Sequence, residues 1–184
     1  MKFRRILKTL LTLIIMAGLG NSSGNHLADT VVTDLENPSP LDELFNYNFT
    51  IKTLEGKPFD VNSLSGKVIF LNLWATWCGP CRVEMPSIQK VYSEFGSDIA
   101  FIMLSIDPDD AINKVKRYVE KNKYTFPVYV PSGELPNDLK VPYIPTTFVI
   151  GRDGKILMKE QGARNYNSGR FKAFLQGVAS NSKQ

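Results

Sequence analysis

Between Lys67 and Trp74 the chain reads Lys-Val-Ile-Phe-Leu-Asn-Leu-Trp, an almost unbroken apolar run. A strand with one wet face alternates apolar and polar residues, so a run of this kind belongs in the middle of a sheet that is covered on both faces. It ends just before two cysteines, Cys78 and Cys81, the only two in the chain. From Pro80 onward Met85, Ile88, Tyr92 and Phe95 recur at helical spacing, with Gly96 as a stop. Cys78 is therefore expected at the start of a helix that directly follows a buried strand. Pro86 is expected to kink that helix, because it has no N–H to donate to the preceding turn.

The flanking pattern extends this strand and helix into a layered domain. Phe49, Ile51, Phe59 and Val61 alternate with polar residues around Glu55-Gly56-Lys57-Pro58, which predicts a small edge hairpin covering one side of the sheet. Residues 99 to 106 predict a second buried strand, and Asp107-Pro108-Asp109-Asp110 the opening of a helix with Ile112, Val115 and Val119 on one face. That helix also carries Lys114, Lys116, Arg117, Lys121 and Lys123, read as a solvated surface. Residues 126 to 130 predict a third core strand, followed by a Pro- and Gly-containing loop from Pro131 to Val141. Thr146 to Ile150 and Lys155 to Gln161 predict a hairpin turning at Gly151-Arg152-Asp153-Gly154, and Phe171, Phe174, Leu175 and Val178 a closing helix. The order implies an α/β sandwich with a mixed central sheet. With 184 residues, 43% of them apolar, the chain has room for one such domain of about 100 to 150 residues plus tails.

The net charge of +4 is carried by Lys2, Arg4, Arg5 and Lys8, and the 18 basic residues that remain balance 18 acidic ones. The body is neutral, which removes the electrostatic case for nucleic-acid binding. The opening cations precede the apolar run from Leu10 to Ala17 and then Gly18-Leu19-Gly20, the layout of a secretory signal over residues 1–20. The apolar stretch is about half the ~20 residues a spanning helix needs, so cleavage is expected over permanent anchoring. No cysteine follows the run, which excludes a lipoprotein anchor. Residues 21–42, with Asn21-Ser22-Ser23-Gly24-Asn25 and Pro38-Ser39-Pro40, read as a flexible spacer ahead of a domain over 43–184.

Two cysteines in an exported chain could be a staple or a redox pair. A bridge closing a four-residue loop stabilises by about 2 kcal/mol in the chain-entropy picture, against about 4.7 for a 100-residue loop. It would be a poor staple. As a redox pair the spacing suits the chemistry: Cys78 at a helix N-terminus meets unpaired N–H groups that favour its thiolate, and Cys81 one turn on can attack a mixed disulfide formed at Cys78. Lowering a thiol pKa from ~8.5 to ~7, the value in thioredoxin, raises the thiolate at neutral pH from about 3% to about 50%. Zinc also uses Cys-x-x-Cys, but it needs four ligands, and the chain offers only His26 besides the cysteines. No metal and no other cofactor is expected.

The run Trp74-Ala75-Thr76-Trp77-Cys78-Gly79-Pro80-Cys81-Arg82-Val83-Glu84-Met85-Pro86, with Ile144-Pro145-Thr146-Thr147-Phe148, resembles the TlpA/ResA branch of the thioredoxin superfamily over roughly residues 43 to 180. The resemblance implies a thioredoxin-like fold, a central mixed β-sheet flanked by helices, with the hairpin as an N-terminal extension. It also implies a cis proline at Pro145, packed opposite the cysteines so that the Ile144 backbone can pair with an extended substrate, and a docking surface framed by Trp77, Gly79 and Pro80. Glu84 matches a carboxylate of this branch associated with proton movement at Cys81; the plainer reading is an acid in the first helical turn stabilised by the dipole. Ordinary thioredoxins carry a buried Asp where this chain has Asn72, which cannot titrate.

The activity implied is that of an exported thiol:disulfide oxidoreductase on the outer side of a bacterial inner membrane, in the periplasm where there is one. Gly79-Pro80 is the dipeptide of thioredoxin, near −270 mV, which favours a reductant. Its substrates would be exported disulfide proteins such as apocytochrome c, its electrons would come from a membrane thiol donor, and it would act as a monomer. Two alternatives on the same fold are a copper-binding chaperone, which generally needs a distant His within the domain, and a thiol peroxidase.

Overall fold

The structure, a computed structural model, describes residues 43–180. The signal and spacer expected over 1–42 lie outside the described residues. Among those described, seven strands form one mixed sheet and three α-helices pack on it. The strands are β1 (Thr50–Thr53), β2 (Pro58–Asp60), β3 (Ile69–Trp74), β4 (Ala100–Ser105), β5 (Val128–Pro131), β6 (Thr146–Ile150) and β7 (Ile156–Gln161). The helices are α1 (Gly79–Phe95), α2 (Ile112–Lys121) and α3 (Gly169–Ser180). Across the sheet the order is β2-β1-β5-β4-β3-β6-β7.

The apolar run is the sheet's centre, as its composition requires. Every residue of β3 is buried; the strand runs parallel to β4 on one side and antiparallel to β6 on the other. Alternation sends its residues into two cores. Phe70 and Trp74 join Met85, Ile88 and Val91 of α1 and Phe171 and Leu175 of α3. Ile69, Leu71 and Leu73 face the other way, onto Phe45, Phe49, Val61, Leu64, Leu139 and Phe148. That second face is covered by irregular chain and a 3-10 turn, Val61–Leu64, which supplies two of the residues.

One sequence expectation is refined. The hairpin β1–β2 does not lie over the sheet but extends its edge, with β1 antiparallel to β5; the chain on either side of it, at Phe45, Phe49, Val61 and Leu64, does the covering. α1 carries Pro86, where a kink is expected, and continues through it to Phe95. One expectation is overturned. Asp107 does not open α2, whose first residue is Ile112 and which has no side-chain cap. A short 3-10 turn, Asp109–Ala111, intervenes, and Asp107 turns inward instead.

Candidate active site

The site forms where β3 ends and α1 begins. Cys78 is the N-cap residue of α1, in extended backbone conformation, and its Sγ accepts a hydrogen bond from the Cys81 N–H at 3.1 Å. Gly79 and Pro80 are the first helical positions, where a missing proline N–H leaves no helical bond unmade. Cys78 and Cys81 are joined in a disulfide. Cys81 is fully buried and Cys78 is 5% exposed, so both lie in the core and Cys78 is the less enclosed of the two. Opposite it, the Ile144–Pro145 bond is cis, and the Ile144 carbonyl oxygen lies 3.8 Å from Cys78 Sγ. Trp77, 59% exposed, and Tyr143, 70% exposed, next in sequence to Cys78 and Ile144, are offered to solvent, while Trp74 is wholly buried.

The segment before Cys78 is held by a residue that the sequence reading assigned elsewhere. The Asp107 carboxylate accepts from the Thr76 N–H at 2.7 Å, the Thr76 hydroxyl at 2.5 Å and the Ser105 hydroxyl at 2.8 Å. These bonds fasten the turn after β3 to the end of β4. An Asp beside a proline resembles a helix cap in sequence; what distinguishes it is its place directly after a buried strand, next to the strand that leads into the cysteines.

Glu84 lies three residues after Cys81, on the same face of α1, and is 2% exposed. Its Oε1 accepts from Asn72 Nδ2 at 2.8 Å, and its Oε2 from the Arg164 backbone N–H at 3.2 Å. Asn72 Nδ2 also donates to Thr147 Oγ1 at 2.9 Å, across the β3–β6 pair, and the Tyr166 hydroxyl meets that Oγ1 at 2.6 Å. The loop carrying Arg164 and Tyr166 is fixed to α1 a second time, by the Tyr166 N–H donating to Ser87 Oγ. Arg164 reaches back to Glu160 in an ion pair. A cleft of about 380 Å³ between α1 and this loop, lined by Val83, Pro86, Ser87, Lys90 and Arg164, reaches Glu84 from the outside.

Burial is the dominant influence on Glu84 and pushes its pKa from an ordinary 4.5 up to about 7; the bonds from Asn72 and Arg164 oppose the rise and the Glu160 charge adds to it. The reading of Glu84 as a dipole-stabilised acid of the first turn is thereby overturned. It lies beyond that turn, points into the core, and holds its proton more tightly than a free carboxylate. Burial also raises the Tyr166 pKa, with the Glu84 charge as the next cause, which keeps that phenol protonated.

A stability prediction follows from the raised value. Between pH 4.5 and about 7 the folded chain keeps a proton that the unfolded chain has released, so this contribution is present at low pH and is lost as pH rises through 7. The loss is on the order of 3 kcal/mol. Denaturant unfolding at pH 5 and pH 8 is expected to show this decline in the wild type and to show it removed in Glu84→Gln. Equal pH dependence in the two proteins would mean that Glu84 titrates near 4.5.

Comparison with known proteins gives a consistent picture. Residues 46–159 match the model of the AhpC/TSA family. The chain is 31% identical over 181 residues to the thiol-disulfide oxidoreductase ResA of Bacillus cereus, covering 97% of this chain and 99% of that protein. Among solved structures, a thiol:disulfide interchange protein of the thioredoxin family from Chlorobium tepidum is similar at 29% identity and TM-score 0.58, covering 73% of this chain and 92% of that one. StoA from Bacillus subtilis is similar at 27% identity and TM-score 0.57, covering 69% and 95% respectively.

Proposed function

The chain belongs to the AhpC/TSA family and is a thiol-disulfide oxidoreductase with a thioredoxin-like fold, and from that premise we propose that it reduces disulfides of exported proteins, with Cys78 as nucleophile and Cys81 as resolving thiol. The observation that carries this reading is the placement of Cys78: the cap of α1, bonded to Cys81 and 3.8 Å from the Ile144 carbonyl oxygen. In the reduced protein the Cys78 thiolate would keep the hydrogen bond from the Cys81 N–H and the positive end of the helix. It attacks one sulfur of a substrate disulfide, expels the other as a thiolate, and forms a mixed disulfide. The Cys81 thiolate then attacks Cys78 Sγ, the substrate leaves as a dithiol, and the 78–81 bond is restored. Glu84 takes the proton from Cys81 in that second step.

The remaining roles rest on the same geometry. Ile144 and Pro145 present a backbone carbonyl for an extended substrate, and Trp77 with Gly79 and Pro80 forms the apolar surface beside it. Gly79-Pro80 between the cysteines supports a reducing potential. A reductant outside the cytoplasm needs electrons carried to it, which supports a membrane thiol donor. The basic and apolar opening of the chain supports export through a signal over residues 1–20, with 21–42 as spacer and 43–184 as the working domain, acting as a monomer on the outer side of the bacterial inner membrane. Oxidised apocytochrome c is the substrate most in keeping with the TlpA/ResA resemblance.

Substrate trapping tests the proposal. Cys81→Ser in the full chain, expressed in a bacterial host, is expected to accumulate mixed disulfides through Cys78. Diagonal electrophoresis should release exported proteins, haem-attachment polypeptides among them. Adducts confined to cytosolic proteins would sink the exported role.

A further inference from the structure

Asn72 is fully buried, and its two halves are treated unequally: Nδ2 donates to both Glu84 and Thr147, while Oδ1 has no hydrogen-bond partner. A buried carbonyl oxygen without a donor is uncommon, because it has lost water and gained nothing. The arrangement suits one protonation state of Glu84. An ionised carboxylate only accepts, so it takes the Asn72 N–H. A protonated carboxyl carries an O–H of its own and needs an acceptor, and the Nδ2 it faces is not one.

We propose that Asn72 is a reversible positioning residue, whose side-chain amide turns over about its last torsion when Glu84 gains or loses its proton. With Glu84 ionised the amide stands as described. With Glu84 protonated, Oδ1 replaces Nδ2 and accepts from the Glu84 O–H. The change propagates to the next strand. In the ionised arrangement Thr147 Oγ1 accepts from both Asn72 Nδ2 and the Tyr166 O–H. In the protonated arrangement Thr147 donates to Asn72 Oδ1, and the Tyr166 O–H donates to Thr147. Each state leaves one end of the amide unpaired, Oδ1 in the first and Nδ2 in the second. Each serves Glu84 fully. The proton released from Glu84 leaves through the cleft between α1 and the 163–167 loop.

The inference rests on Glu84 titrating near neutrality, the reading given above. Among the described residues, both hydrogen bonds to the Glu84 carboxylate come from donors, Asn72 Nδ2 and the Arg164 N–H. From the 163–167 loop come the Arg164 N–H, a donor, and the Tyr166 ring, already engaged with Thr147. Glu160 of β7 acts on Glu84 by charge and is paired with Arg164. From α1 itself, Cys81 is in the disulfide, and Ser87 and Lys90 line the outer cleft. A pKa held near 7 places both states of Glu84 within ordinary pH.

The test is a pH titration of the oxidised full chain by NMR, with carbon label on Glu84 and nitrogen label on Asn72. The Glu84 carboxyl carbon and both Asn72 side-chain amide protons are expected to move between pH 5 and 9 with one midpoint, the amide protons upfield together as Glu84 protonates. In Glu84→Gln the Asn72 signals should stop responding to pH. Asn72→Leu, which removes partners from both states, should raise the Glu84 midpoint by about one pH unit, since a bond to the charged form is the stronger of the two. If the carboxyl carbon titrates while the Asn72 amide stays still, Asn72 is a fixed donor and the proposal falls, with Glu84 keeping its role. If the carboxyl carbon does not titrate in that range, the reading of Glu84 falls and takes the proposal with it.

Discussion

Cys78→Ser is expected to take disulfide-reductase turnover below detection while the domain stays folded. A serine hydroxyl at the N-cap can still accept the Cys81 N–H, so α1 keeps its start; serine is indeed a favoured N-cap residue. The chemistry does not survive, because the hydroxyl ionises far above neutral pH and no sulfur remains at position 78. Loss of the bridge removes about 2 kcal/mol of constraint on the unfolded chain. For a domain of this size that corresponds to a fall in Tm of about 4–8 °C. Insulin turbidity with an excess of reductant reads the activity, and a thermal melt reads the fold. Turnover retained in Cys78→Ser would show that Cys81, fully buried here, can serve as the attacking thiol, and the assignment of roles would be wrong.

The second large effect is expected from Glu84→Gln, and on one step only. Formation of the mixed disulfide uses the Cys78 thiolate and should be unchanged. Resolution requires Cys81, buried and at the same face of α1 as Glu84, to lose its proton first. With a pKa of about 7 the Glu84 carboxylate is available as a base above neutrality and is protonated below it. The resolving rate in the wild type should therefore climb with pH through about 7. A positioned base contributes 10²–10⁴-fold, so the glutamine variant is expected to resolve about 10²-fold more slowly and without that bend. Single-turnover mixing followed by acid quench separates the two steps. A bend that persists in Glu84→Gln belongs to another group, and Glu84 would then have only a structural part.

Much of this was legible in the residues because the signals were local and strong. The buried strand over 69–74 followed from an apolar run that no exposed strand carries, and the helix from Gly79 to Phe95 from spacing. Trp74, the last residue of that run, is buried as the run predicts, and the exposure of Trp77 matches what the resemblance implied. Glu84 came from resemblance, but its environment did not. Asn72, Thr147, Tyr166 and Arg164 come from three distant parts of the chain, and no periodicity marks a tyrosine whose hydroxyl will be buried against a threonine. Asp107 was misread for a physical reason: aspartate before proline satisfies the local rule for a cap, whereas here the Thr76 backbone competes for the carboxylate and prevails. The hairpin was seen as a hairpin, but edge extension and coverage have the same alternating pattern.

The margins of the sheet bear on how such a protein handles unfolded clients. Strand edges are adhesive, since each leaves a row of unpaired amides and carbonyls. Here β5 is shielded by β1, and the outermost β2 is three residues long and begins with Pro58. At the opposite margin the start of β7 is bonded by the Glu43 carbonyl, and the strand carries Lys159 and Glu160. A sticky, extended polypeptide is thus discouraged from grafting onto either rim. Under the proposed roles, the Ile144 carbonyl beside Cys78 Sγ is then the open backbone site for such a chain, so protection against self-association and the placing of clients at the cysteines would come from one fold.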